Sequence, residues 1–271
     1  MKEYFLKNEI YYRTNEFNQN RLTLVFVHGV SGSSSAWLPY EKIFENKYNI
    51  LTFDIRGHGK SKKFHNYADY EMKYFANDIH NLVSYLKISK FIIISHSFAA
   101  PIVLEYIKLF RQTVLGVVFL SPMINLKKNF LGKIMPYVLI LTGVFSLFSF
   151  NPKKGGHIDY TKHPNTTDWN IKRNLADMIN TTLRIHLFCL RQSSNLAQEG
   201  YSLEKIDVPT LIMHGAKDSM VPVKNSVLMS QKIQNSQLII IPDIDHIIVL
   251  NRVKEVSEAI EGFIKNTIIN E

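Results

Sequence analysis

Three side chains of this sequence have the types, and stand in the order, that would move a proton and attack a carbonyl: Ser97, Asp218 and His246. Ser97 lies in Ser95-His96-Ser97-Phe98-Ala99, between the apolar run Phe91-Ile92-Ile93-Ile94 and a segment of helical character. A nucleophile on a tight strand-to-helix turn is thrust outward at the carboxyl end of a sheet. It also stands beside free helix N–H groups that stabilise negative charge. Read alone, the pentapeptide is equally an ordinary strand-to-helix loop. His28-Gly29-Val30-Ser31-Gly32 follows another apolar run, Leu22–Val27, and its glycines let a loop fold back toward the elbow. Acyl transfer needs two N–H donors aimed at the developing oxyanion. The natural pair is Val30 and Phe98, the second being the residue after the nucleophile. Asp218 closes His214-Gly215-Ala216-Lys217-Asp218 after a third apolar run, where a carboxylate can orient an imidazole. His246 closes Asp243-Ile244-Asp245-His246 after a fourth, where an imidazole can act as general base. Asp54-Ile55-Arg56-Gly57-His58-Gly59-Lys60-Ser61 reads instead as a rigid structural turn, with His58 as scaffold.

The elements that must position these residues alternate along the chain. Strands are expected at Leu22–Val27, Tyr48–Phe53, Phe91–Ser95, Val114–Leu120, Thr210–His214 and Gln237–Ile241. Short apolar runs of this kind suit strands buried on both faces. Helical spacing fills the intervals: Met72, Phe75, Ile79, Leu82, Val83 and Leu86 share one face of 69–87, and helices are expected at 98–110, 223–233 and from Val253 onward. This alternation predicts an α/β, doubly wound, mostly parallel central sheet covered by helices. It breaks between Asn125 and Gly200, where no strand signal occurs. The expected organisation is a core of residues 1–124 and 201–271 with a helical cap inserted at 125–200.

At 271 residues the chain suits one such domain with a sizeable core. Hydrophobic residues at 46% and charged residues at 20% exclude wholesale disorder and collagen-like repeats. The one cysteine, Cys189, cannot form an internal bridge, and the N-terminal residues lack the apolar core of a secretory signal, so a cytoplasmic location is expected. Ile134–Phe150 is charge-free, but it is short for a span and holds Pro136 and Gly143. Were it to cross a membrane, Ser97 would be parted from Asp218 and His246. It is expected instead to line an apolar pocket or to rest on a lipid surface.

Taken together, HGVSG, DIRGHGKS, SHSFAA, HGAKD and DIDH, in that order and spacing, make the chain resemble the α/β-hydrolase superfamily. The likeness is to its serine-hydrolase branch of capped esterases and monoacylglycerol-lipase-like members, and runs from Leu22 to Phe263. It implies Ser97 as nucleophile, His246 as general base, Asp218 as orienting acid, and the Val30 and Phe98 amides as oxyanion hole, with no cofactor or metal. It implies a small-molecule ester substrate, with an apolar acyl group favoured by the cap. A carbon–carbon bond hydrolase or lactonase on the same triad, or a catalytically weak ligand-binding homologue, are the alternatives. The chain departs from the usual elbow pattern in carrying Ser95 and Ala99 where glycines stand, so a crowded turn and a slightly displaced nucleophile are expected.

Charge sharpens the partner. Lys and Arg exceed Asp and Glu by nine, and the residues 125–200, with ten bases and four acids, hold +6 of that +9. No nucleic-acid recognition motif accompanies the charge, which argues against a nucleic-acid partner. A basic, apolar-centred cap points to peripheral contact with an anionic membrane. No segment marks an oligomer interface.

Overall fold

The computed structural model of the protein describes residues 1–7, 9–124, 136–138, 140–144, 155–199 and 202–268. Its centre is an eight-stranded sheet. The strands are β1 (Lys2–Leu6), β2 (Ile10–Thr14), β3 (Thr23–Val27), β4 (Asn49–Phe53), β5 (Phe91–His96), β6 (Val114–Leu120), β7 (Thr210–Gly215) and β8 (Ser236–Ile241), in the spatial order β1-β2-β4-β3-β5-β6-β7-β8. From β4 to β8 every pairing is parallel, whereas β1 and β2 form an antiparallel hairpin that joins the edge through β4.

The period of two along each central strand divides the core into two layers. Val25, Val27, Leu51, Phe53 and Ile93 face α2 (Met72–Tyr85) and α3 (Ala99–Phe110), packing with Phe75, Ile79, Val83 and Val103. Leu24, Phe26, Ile50, Ile92 and Ile94 face the opposite way, onto Trp37, Tyr40 and Phe44 of α1 (Leu38–Phe44) and its entry turn, and onto Val256, Ile260 and Phe263. Burial on both faces is why these strands read as unbroken apolar runs. The helix predicted at 69–87 is shorter at both ends. A 3₁₀ turn over Tyr67–Tyr70, closed by the reciprocal Asn66 and Asp69 capping box, precedes it, and the left-handed Lys87 follows it.

Parallel register aligns the carboxyl ends of the strands. Val27 pairs with both Phe53 and Ser95, Ser95 with Phe119, and Gly215 with Ile241. The loops after β3, β4, β5, β7 and β8 therefore rise along one edge, the place where open α/β sheets bind ligands.

Between β6 and β7 the described residues are helix, turn and loop, without a strand. Here lie α4 (Ile171–Thr181) and α5 (Leu183–Glu199), and residues 136–138 and 140–144 are helical. The remainder of the expected cap, 125–135, 139, 145–154 and 200, lies outside the described residues, and with it much of the apolar stretch Ile134–Phe150. Among the described residues no helix is long and apolar enough to cross a membrane. After β7 come α6 (Lys224–Lys232), α7 (Ile248–Asn251) and α8 (Val253–Phe263).

Candidate active site

Ser97 directly follows β5 and adopts φ +54°, a left-handed conformation that costs a serine on the order of 1–3 kcal/mol. Three backbone hydrogen bonds hold it there: Ser97 N–H to Leu120 O at 2.9 Å, Ala100 N–H to Ser97 O at 3.0 Å, and Met123 N–H to Ser97 O at 3.2 Å. The helix α3 begins two residues later, and Pro101 sits in its first turn, where no backbone donor is needed. The expected crowding does not part Ser97 from its neighbours. The Ser95 hydroxyl turns to the Val118 carbonyl, at 3.3 Å, and Ala99 is fully buried.

His246 stands in the loop after β8. Its Nε2 lies 2.8 Å from Ser97 Oγ and its Nδ1 2.7 Å from Asp218 Oδ2. The acid is itself firmly held. Oδ2 also meets His214 Nε2 at 2.9 Å, while Oδ1 accepts the N–H groups of Met220 at 2.9 Å and Val221 at 2.7 Å. Burial alone would raise Asp218, but the charge of His246 and the hydrogen bonds from His214 and His246 keep its carboxyl well below the usual carboxylate range. Burial alone would lower His246, but the charge and hydrogen bond of Asp218 raise it above an ordinary imidazole. The two shifts agree: the carboxylate stays ionised and favours a proton on the ring. With Nδ1–H donating to Asp218, Nε2 is left as acceptor for the Ser97 hydroxyl proton, which is the arrangement a general base needs.

The loop after β3 closes the other side. An added Cβ at Gly29 would lie 3.1 Å from His96 Nδ1 and 3.3 Å from Ser97 Cβ, so only a bare backbone approaches the elbow this closely. Gly32 N–H bonds to Gly29 O at 3.2 Å, and Val30 between them borders the same cavity as Ser97. Phe98 buries its ring against Phe75, at 5.9 Å between centroids, and leaves its backbone at the mouth of α3. No hydrogen bond from the N–H of Val30 or Phe98 is seen among the described residues. The structure thus brings all five sequence-derived candidates to one place.

The Asp54 turn does what its residues suggested. The buried Asp54 accepts Ser34 N–H and Lys60 N–H, each at 2.7 Å, and His157 Nε2 at 2.7 Å. His58 is fully buried with Nδ1 2.9 Å from Arg56 O, and burial pushes it down to about 3. It makes no contact with the relay of Ser97, His246 and Asp218 and does not line the cavity over it.

A cavity of about 300 Å³ opens over Ser97 and His246. Its walls are mainly apolar, from Trp37, Met123, Met178, Leu190, Met220 and Leu250. One corner is polar, and sequence reasoning missed it. Tyr160 donates to Asp177 Oδ1 at 3.1 Å, and Arg173 Nη1 donates to Asp177 Oδ2 at 2.8 Å. Burial raises Asp177 to about 6. The i,i+4 spacing of Arg173 and Asp177 on α4 is the one signal in the sequence that could have found the pair. Asp168, His96 and the Ser31–His186 pair, 2.7 Å apart, were missed as well. Their partners are remote in the chain, so no local pattern announces them.

A family model described as alpha/beta hydrolase fold matches residues 23–253. A Synechocystis sp. protein, whose name marks it as a candidate non-heme chloroperoxidase, is 26% identical over an alignment of 257 positions that covers 89% of this chain and 91% of that one. Among solved structures, MGS-M2, an alpha/beta hydrolase enzyme from a Medee basin deep-sea metagenome library, superposes with a TM-score of 0.75 at 21% identity, covering 98% of each chain. A thermophilic esterase from Thermogutta terrifontis gives 0.72 at 16% identity, covering 96% of this chain and 94% of that one. At such identities the two structures speak for the fold alone.

Proposed function

The chain belongs to the α/β-hydrolase family and is a hydrolase, and from that premise we propose that it cleaves carboxylic esters with an apolar acyl group by a serine mechanism. The observation that carries this reading is the unbroken relay from Ser97 Oγ through His246 to Asp218, with links of 2.8 and 2.7 Å. His246 Nε2 takes the Ser97 proton as Oγ attacks the ester carbonyl. The Val30 and Phe98 N–H groups receive the oxyanion. His246 then protonates the departing alcohol oxygen, and the acyl group remains on Ser97. Water, deprotonated by His246, attacks the acyl-enzyme, and the proton returns to Oγ as the acid leaves. Asp218 keeps the proton on Nδ1 throughout and stabilises the ring while Nε2 is also protonated. The apolar walls of the cavity favour an acyl chain over a small polar group.

A fluorophosphonate probe tests the nucleophile. Labelling is expected in the native protein, absent in Ser97→Ala and weakened in His246→Ala. Folded native protein that takes no label overturns the reading. Hydrolysis of p-nitrophenyl acyl esters, set against ring-cleavage products and lactones, separates the esterase from a carbon–carbon bond hydrolase or lactonase.

The surface of the insertion supports a peripheral contact with anionic lipid. Ile171, Leu175 and Ile179 recur every fourth residue on the exposed side of α4, at 79, 54 and 70% exposure. Arg173, Asn174, Asp177 and Met178, on the adjoining side, border the cavity. Lys172, on the same helix, is exposed, as is Lys162 of the turn Tyr160–Lys162. An apolar stripe accompanied by cations matches an interface of acyl chains and anionic headgroups, and would set the cavity mouth against lipid.

A further inference from the structure

We propose that Asp168, a residue of the segment between β6 and β7, is a positioning residue that fixes the distance between the acid loop and the base loop, so that the insertion completes the catalytic machinery besides covering it. The inference rests on reading Ser97, His246 and Asp218 as the triad.

The geometry converges on one buried carboxylate, 3% exposed. Oδ2 accepts Ser219 N–H at 2.9 Å and Ser219 Oγ–H at 2.7 Å. Oδ1 accepts His246 N–H at 2.8 Å. Ser219 directly follows the acid, and His246 is the base itself. A single rigid group therefore spans the two loops that must present Asp218 to His246. Asp168 is secured in turn through its backbone: its N–H donates to Asp245 Oδ2 at 2.9 Å, and its carbonyl accepts from Asn174 Nδ2 of α4 at 2.9 Å. On the far side of the base, His96 Nε2 donates to His246 O at 3.1 Å. The backbone of His246 is thus pinned from the insertion through its N–H and from the elbow through its carbonyl. Hydrogen bonds to an ionised acceptor are the strong ones, and a displacement near 1 Å at a reacting group costs about a hundredfold in rate.

A second effect follows from charge. The groups acting on the His246 ring are Asp218 from the loop after β7, Asp168 and Arg173 from the insertion, and His96 from the elbow, which burial keeps neutral. Asp168 and Asp218 both favour the protonated ring. Removing the Asp168 charge lets His246 stay neutral, and so basic, to lower pH.

The test is Asp168→Asn, nearly the same shape but with an NH₂ opposed to one set of N–H donors. Steady-state hydrolysis of p-nitrophenyl butyrate is measured against pH, with circular dichroism to verify folding. The expected result is a fall in kcat of about 10- to 100-fold, little change in KM, and an acid limb moved to lower pH. A folded variant with kcat within about twofold of the native protein overturns the proposal, as does a lower kcat with an unmoved limb, which is the mark of a merely structural role. Should Asp168→Asn fail to fold, Ser219→Ala removes the 2.7 Å hydroxyl contact alone. It is expected to lower kcat a few-fold at constant KM, and an unchanged kcat then overturns the proposal. Failure of the triad reading is separate: it shows as fluorophosphonate labelling that survives Ser97→Ala, whatever Asp168→Asn does.

Discussion

Asp218→Asn is the substitution whose effect can be worked most fully from the geometry. The two carboxylate oxygens of Asp218 have distinct partners. Oδ1 accepts the Met220 and Val221 N–H groups, and Oδ2 accepts His246 Nδ1–H at 2.7 Å and His214 Nε2–H at 2.9 Å. An asparagine has one acceptor oxygen. If it serves the two backbone donors, its NH₂ faces two ring N–H groups. His246 escapes this clash by moving its proton from Nδ1 to Nε2, and then it presents a donor to Ser97 and cannot take the hydroxyl proton. The same tautomer exchange in a serine-protease triad costs about 10⁴-fold in rate, or about 5 kcal/mol of transition-state stabilisation. A loss of about 10³- to 10⁴-fold in kcat/KM is expected here on that precedent. The neighbouring carboxylates provide internal controls. Asp243 is exposed and pairs with Lys217 at 2.6 Å, so Asp243→Asn should stay within about twofold. Asp245 holds Asp168 N–H and Ile247 N–H, so Asp245→Asn should cost about tenfold through positioning. The assay is kcat/KM on p-nitrophenyl butyrate for the three purified variants, with folding checked by circular dichroism. The reasoning fails if Asp218→Asn keeps a tenth of native activity, or if Asp245→Asn costs as much as Asp218→Asn.

Further outcomes follow from the same site. His246 serves as base only when neutral, and Asp218 raises it above an ordinary imidazole, so kcat/KM should fall as pH drops through a limb lying above about 6.5; a limb well below that value would contradict the assigned pair. Gly29→Ala should lower kcat by about 10- to 100-fold, because its Cβ would press on His96 and Ser97 at 3.1 to 3.3 Å, and native kinetics in that variant would show that the loop has slack. Ile171→Glu combined with Ile179→Glu should abolish flotation with phosphatidylserine-containing vesicles and leave hydrolysis of a soluble short-chain ester unchanged; flotation that persists would refute docking through α4.

The central sheet was legible because its strands are buried on both faces, which forces runs such as Phe91–Ile94 to be apolar throughout. The edge hairpin was not. β1 is exposed along four of its five residues, and β2 is a mixed string whose Arg13 is buried only because Glu41 of α1 pairs with it, at 2.6 Å between Nη2 and Oε1. No local pattern foretells a buried arginine whose partner lies 28 residues away. Likewise α1 is seven residues long, too short to display a period. The site divides in the same way. Ser97, Asp218 and His246 could be read because each stands within five residues of the end of a strand that fixes where it must emerge. Asp168 follows no such strand. It lies in an irregular segment, and its role exists only through Ser219 and His246, 51 and 78 residues further on.

The elbow shows how a local departure can be absorbed by geometry elsewhere. Ser95 and Ala99 add side chains where the turn is tightest, and on sequence grounds Ser97 should have been pushed from its place. Yet Ser97 Oγ meets His246 Nε2 at 2.8 Å. Ser95 belongs to a strand paired on both sides, with Val27 and with Phe119, so its backbone cannot yield. Its hydroxyl finds a carbonyl on β6 rather than pressing into the turn. Across the gap, an added Cβ at Gly29 would lie within 3.3 Å of His96 and Ser97, so the facing loop also leaves the elbow its room. A motif matched position by position therefore understates this elbow, because what decides it is where the Ser95 side chain can turn and which backbone it faces, and Ser97 Oγ stays within hydrogen-bond reach of His246.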